Sequence, residues 1–120
     1  MYRIKNKNIF LNRGDKITIH LVNNSDNFRI GDYITFYICE NGNYENVIFQ
    51  KRVDIDDNID VIDIHLSSDE TRLGEPLKSG SRAYWYEIEL NGDTTLVGYD
   101  EKGPKLFTLF PEAISKGGSI

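Results

Sequence analysis

The sequence predicts an all-β fold, an antiparallel β-sandwich of about seven strands, and three observations predict it. Apolar and polar residues alternate with period two through seven separate segments. Clusters of Asn, Asp, Gly and Ser divide those segments at short intervals. No stretch of comparable length carries the 3.6-residue period of an amphipathic helix.

The opening "MYRIKNKNIFLNRGDK" has neither an apolar run nor a small-residue cleavage site, so no secretory signal is expected, and the strands are read from residue 16 onward. In "KITIHLV" (16–22), Ile17, Ile19 and Leu21 share one face and Lys16, Thr18 and His20 the other. The turn Asn23-Asn24-Ser25-Asp26 precedes "YITFYIC" (33–39), where Ile34, Phe36 and Ile38 face inward and Tyr33, Thr35 and Tyr37 face away. Asn41-Gly42-Asn43 then leads to "NVIFQKRV" (46–53). Beyond Asp56-Asp57-Asn58 comes "DVIDIHL" (60–66), which aligns Ile62, Ile64 and Leu66. "YWYEIEL" (84–90) puts Tyr84, Tyr86, Ile88 and Leu90 together, and Asn91-Gly92-Asp93 turns it into "TTLVGYD" (94–100). Glu101-Lys102-Gly103-Pro104 introduces the last strand, "KLFTLF" (105–110).

One segment departs from alternation. "LSSDETRLGEPLKSGS" (66–81) offers Ser68 as an N-cap and Asp69, Glu70 and Thr71 as a first turn, with Gly74 and Pro76 as early stops. It predicts a single helical turn in a crossover between the two sheets. The chain thus reads as one sandwich domain over 1–114 with a flexible tail, "SKGGSI", at 115–120.

Bulk properties exclude several functions. A chain of 120 residues can bury a core without disulfides or metal. The formal net charge of −5 argues against nucleic-acid binding, which needs a basic patch for phosphate. No apolar run approaches the roughly 18 residues of a membrane span. The single cysteine, Cys39, rules out an internal disulfide framework and points to synthesis in a reducing cytoplasm.

No catalytic constellation stands out, and a non-enzymatic role without cofactor is expected. "DIDDNID" (54–60) spaces Asp54, Asp56, Asn58 and Asp60 like calcium ligands. It has Ile59 where the loop needs Gly, and His65 where it needs a bidentate carboxylate, so it reads as an acidic turn. "RGD" (13–15) matches an adhesion tripeptide but is short enough to recur by chance, and Gly14-Asp15 makes an ordinary turn before a strand. His20 and His65, both on polar strand faces, are too few for zinc, and Cys39 lacks a Cys partner at metal spacing. Cys39 reads as a small hydrophobe closing an apolar strand. Trp85 is the residue of interest, because alternation turns it away from Tyr84 and Tyr86, beside Glu87 and Glu89. With Tyr33 and Tyr37 it forms a candidate interface or ligand platform. The preferred reading covers Trp85 with residues 75–79 of the crossover, through Pro76 and Leu77.

With the strands placed, the stretch "LSSDETRLGEPLKSGSRAYWYEIEL" resembles a pattern in small β-sandwich domains of tail and baseplate proteins from phages of Gram-positive bacteria. The matching residues are Glu70, Thr71, Leu73, Gly80, Tyr84, Tyr86, Ile88 and Leu90. The adjoining "LVGYDEKGPKLFTLFPEA" is similar to the ends of short prophage proteins of clostridial-type bacteria, and the Asn-, Asp-, Ile- and Lys-heavy composition suits such a host. In upper-baseplate proteins this domain stands at the front of a longer chain. The resemblance implies an immunoglobulin-like sandwich serving as a structural or accessory protein of a virion, acting through protein–protein interfaces. Its partners would be other phage proteins or a second copy of itself. The alternative is a carbohydrate-binding or cell-surface adhesion module.

Overall fold

The computed structural model describes residues 2–22 and 27–112. The turn read at Asn23–Asp26 and the tail read at 115–120 lie outside them. Among the described residues there are nine strands: β1 (Tyr2–Lys5), β2 (Asn8–Asn12), β3 (Ile17–Val22), β4 (Tyr33–Glu40), β5 (Asn43–Asp54), β6 (Val61–Leu66), β7 (Arg82–Leu90), β8 (Thr94–Val97) and β9 (Lys105–Phe110). They form a large sheet in the order β1-β2-β9-β7-β4-β5, with β8 beside β7, and a small sheet of β3 and β6. The class is all-β and sandwich-like, but the strands divide seven against two. One pair departs from the antiparallel expectation: β2 runs parallel to β9.

Alternation builds the interface between the sheets. In the small sheet Ile17 lies opposite Leu66, Ile19 opposite Ile64 and Leu21 opposite Ile62, so six aliphatic side chains line one face. They pack onto the inward residues of β2, β4, β7 and β9, among them Ile9, Leu11, Ile34, Phe107 and Leu109. Phe36 lies at the centre, with Tyr86 at 5.5 Å, Phe107 at 6.2 Å and Phe49 at 6.5 Å between ring centroids. Tyr84 and Tyr86 are core residues, as their strand positions predicted. The Tyr86 hydroxyl donates to the Lys7 carbonyl, which satisfies a polar group carried into an apolar layer.

The first hairpin is the largest difference from the sequence reading, which had no strand before residue 16. β1 and β2 are joined by Asn6 and Lys7 at φ 51° and 66°, the backbone of a two-residue primed turn. Lysine is a poor signal for that turn. All four β1 residues are exposed, so no alternation marks the strand. β5 also begins earlier than expected. After Glu40 pairs with Asn43, the next partner of Cys39 is Val47, so residues 44–46 bulge out of register. β8 ends at Val97 rather than Asp100.

The crossover 67–81 passes between the sheets as expected, but it contains no helix. Its single turn is capped at Ser67, not Ser68. The Glu70 amide donates to the Ser67 hydroxyl at 3.2 Å and the Ser67 amide to the Glu70 carboxylate at 2.9 Å, a reciprocal capping box. The turn ends at Gly74, whose φ is +67°. Arg13 clamps this end of the turn: its guanidinium donates to the carbonyls of Leu73, Arg72 and Gly74 at 3.2, 3.2 and 3.0 Å. The Arg13 of the "RGD" tripeptide is therefore committed to the fold. Lys51, pointing inward from β5, closes the adjacent edge by bonding the His65 carbonyl at 2.6 Å and Glu70 at 2.9 Å.

Candidate functional site

The small sheet covers only the inner face of the large one. The opposite face carries Tyr33, Thr35, Tyr37 and Cys39 from β4, and it carries Trp85, Glu87 and Glu89 from β7. The register places Cys39 beside Trp85, Tyr37 beside Glu87 and Thr35 beside Glu89. Two-residue periodicity brings these side chains together, and the three platform candidates, Trp85, Tyr33 and Tyr37, do share this face.

Trp85 is half-buried, but not by the crossover. Its ring packs against Tyr44 at 5.0 Å between centroids and edge-on to Tyr99 at 5.8 Å. Leu77, the expected cover, packs instead against the main core on the inner side. The correction has a simple cause. Gly74 in the crossover stands so close to Tyr84 that an added Cβ would lie 2.5 Å from its hydroxyl. Tyr84 faces inward, so the crossover runs along the inner side and cannot reach Trp85. Tyr44 comes from the bulge in β5 and Tyr99 from the loop after β8, both off the regular register. Tyr33, further along, has the Arg52 guanidinium over its ring at 3.7 Å.

Beside the aromatic trio lies a cavity of about 120 Å³ walled by Tyr37, Tyr44 and Val47, with Cys39, Glu87 and Glu89 completing it. Gly98 makes room for one wall: a Cβ there would lie 3.0 Å from the Glu87 Cγ and 2.8 Å from the Thr95 methyl. The electrostatics are uniformly anionic. Partial burial raises the Glu87 carboxyl above its ordinary value, and the charge of Glu89 adds to this. Burial and then Glu87 push the Cys39 thiol up, so it stays protonated and unreactive. Burial, with Glu87 next, carries the Tyr44 phenol up to about 12. Burial and the Glu89 charge raise that of Tyr37. The Tyr44 oxygen is buried without a partner in hydrogen-bond geometry among the described residues, although the Tyr99 amide faces it.

The structure does not assemble the other candidate chemistry. His20 and His65 lie on the outer side of the small sheet, paired with Asp63 at 2.5 Å and Thr18 at 2.9 Å. Cys39 is on the far side of the large sheet, so the thickness of the sandwich separates it from both. In the acidic turn, Asp54 pairs with Arg52, Asp57 holds the Asn58 amide, and Asn58 accepts from the Ile30 amide. Those ligand candidates are turn residues, and no group of three or more His, Cys, Asp or Glu among the described residues is arranged to hold a metal ion.

A second, larger cleft of about 380 Å³ opens between the sheets where the small one ends, lined mainly by Ile4, Leu21, Val22, Ile88 and Leu96. No helix among the described residues is long and apolar enough to cross a membrane. Comparisons of the chain with protein-family models, with curated proteins and with solved structures found no match in any of the three.

Proposed function

We propose that this chain is a non-enzymatic structural or accessory protein of a phage or prophage particle, of tail or baseplate type, that acts through protein–protein interfaces. Immunoglobulin-like kinship belongs to the same reading, as does synthesis in a bacterial cytoplasm with later incorporation into a virion. The observation that supports it is the face of the large sheet opposite the small one, where Tyr44, Trp85 and Tyr99 form an aromatic cluster. Tyr99 is 59% exposed, and Val47, which lines the neighbouring cavity, 41%. Aromatic residues that combine large contact area with few rotamers are what protein interfaces concentrate. Other virion proteins or a second copy of the chain are the partners in this reading, and the net charge of −5 disfavours nucleic acid.

The test is direct. Particles induced from the encoding strain and banded on a density gradient should carry the chain with their tail proteins, as read by immunoblot. Its exclusion from purified particles would refute the virion assignment. A second reading, carbohydrate binding, draws on the same exposed rings, since sugars stack on Trp and Tyr. Saturable binding of cell-wall polysaccharide in isothermal titration calorimetry, abolished in a folded Trp85→Ala variant, would favour that reading instead.

A further inference from the structure

The cavity beside Trp85 gathers aromatic rings and carboxylates, and no cation among the described residues neutralises those carboxylates. It is lined by the two tyrosines Tyr37 and Tyr44, by Val47 and Cys39, and by the two glutamates Glu87 and Glu89. Neither Glu87 nor Glu89 forms an ion pair among the described residues, whereas Asp54, Glu70, Asp100 and Glu112 all do. The same face shows what would complete such a site. At the other end of β4 the Arg52 guanidinium lies 3.7 Å from the Tyr33 ring centroid and bonds Asp54 at 2.9 Å, a cation held between an aromatic face and a carboxylate. Tyr37, two strand positions past Thr35, has the ring and the carboxylates, and no cation among the described residues pairs with those carboxylates.

Size narrows the occupant. About 120 Å³ is well below the roughly 300–1,000 Å³ of pockets that enclose a whole small molecule. It suits one side-chain head group delivered from outside. The surrounding aromatic patch, Trp85 with Tyr44 and Tyr99, supplies the flat contact area that a protein bearing that side chain would cover.

We propose that the pocket formed by Tyr37, Tyr44, Glu87 and Glu89 is a socket for the guanidinium or ammonium head of one arginine or lysine presented by a partner protein. This rests on the reading of the outer face as a protein interface. The rings provide cation–π contact and the two glutamates the counter-charge. Recognition is by charge and shape together, so a neutral isostere of the same length does not substitute.

The experiment is an NMR titration of the full chain with N-acetyl-arginine amide and N-acetyl-lysine amide, with N-acetyl-citrulline amide as the neutral control. Saturable shifts should centre on residues 37–39, 44–47 and 85–89, with a Kd on the order of millimolar for so small a probe. Glu87→Gln and Glu89→Gln, each confirmed folded by its amide spectrum, should weaken binding about tenfold or more. Arg52→Ala, on the same face but outside the pocket, should leave it unchanged. Equal response to citrulline, indifference to both glutamine variants, or no saturable shift would overturn the socket. Micromolar binding of free agmatine with none of the capped residues would also overturn it, because the site would then be built for a small metabolite. Incorporation into particles without cation binding refutes the socket and leaves the virion reading standing. Cation binding by a chain excluded from particles does the reverse.

Discussion

At the residue scale the outer face trades stability for chemistry. Trp85 gains from both Tyr44 and Tyr99, yet it is half-buried, so Trp85→Ala should cost about 2 kcal/mol in urea melts, less than the roughly 3–5 of a core aromatic. A loss at the full core value would mean that the ring is more enclosed than Tyr44 and Tyr99 make it. Glu87 should behave in the opposite direction. Its carboxyl value is raised in the fold, so the native state holds that proton more tightly than the unfolded chain, and stability is lost as pH rises through the window above 4.5. Glu87→Gln should therefore be more stable than wild type at neutral pH, with the advantage vanishing as pH falls below about 4. Thermal melts across pH check the sign.

The crossover shows how an element without helix or strand is held. Two independent locks act on it, the Ser67–Glu70 capping box with Lys51 and the Arg13 fork on three carbonyls. Burial alone would raise the Glu70 carboxyl, but the Ser67 amide and Lys51 outweigh it and hold the value below 4.5. That stabilisation is present above pH 4.5 and is lost as pH falls through the lowered native value. The stability gap between wild type and Glu70→Gln should accordingly shrink between about pH 6 and pH 3 in parallel urea melts. A gap that stays constant would place the contribution in packing instead. Arg13→Ala should cost roughly 2–4 kcal/mol, because three carbonyls lose a charged donor together. Arg13→Lys should recover only part of it, since an ammonium cannot reproduce the fork.

Across the whole molecule, stability should decline through the sheet from centre to edge. β7 and β4 sit inside the large sheet with neighbours on both sides, while β1 is an exposed four-residue edge. Native-state hydrogen exchange should be slowest in β4 and β7 and fastest in β1 and β8. Comparable protection in β1 would show that something else covers that edge. The circular dichroism spectrum should be of strand type with no helical component, since even the crossover turn does not extend into a helix.

Much of this architecture is written in the alternation itself. Ile17, Ile19 and Leu21, or Tyr84, Tyr86 and Ile88, can share a buried face only as strands, so element type and core membership come from local spacing. The same rule placed Trp85, Tyr33 and Tyr37 together on the outer face. Legibility ends where contacts cease to be local. The β1–β2 hairpin escapes because its turn relies on Lys7 at φ 66° and its edge strand buries nothing. Tyr44 and Tyr99 escape because a bulge and a loop, not a period, bring them to Trp85. The course of the crossover escapes because it is held by Arg13, about sixty positions away, and by the close approach of Gly74 to Tyr84. Spacing along a strand is set by covalent geometry, and the sequence alone determines it. Which loop lies over which face depends on long-range packing and hydrogen bonds, and only the folded chain decides that.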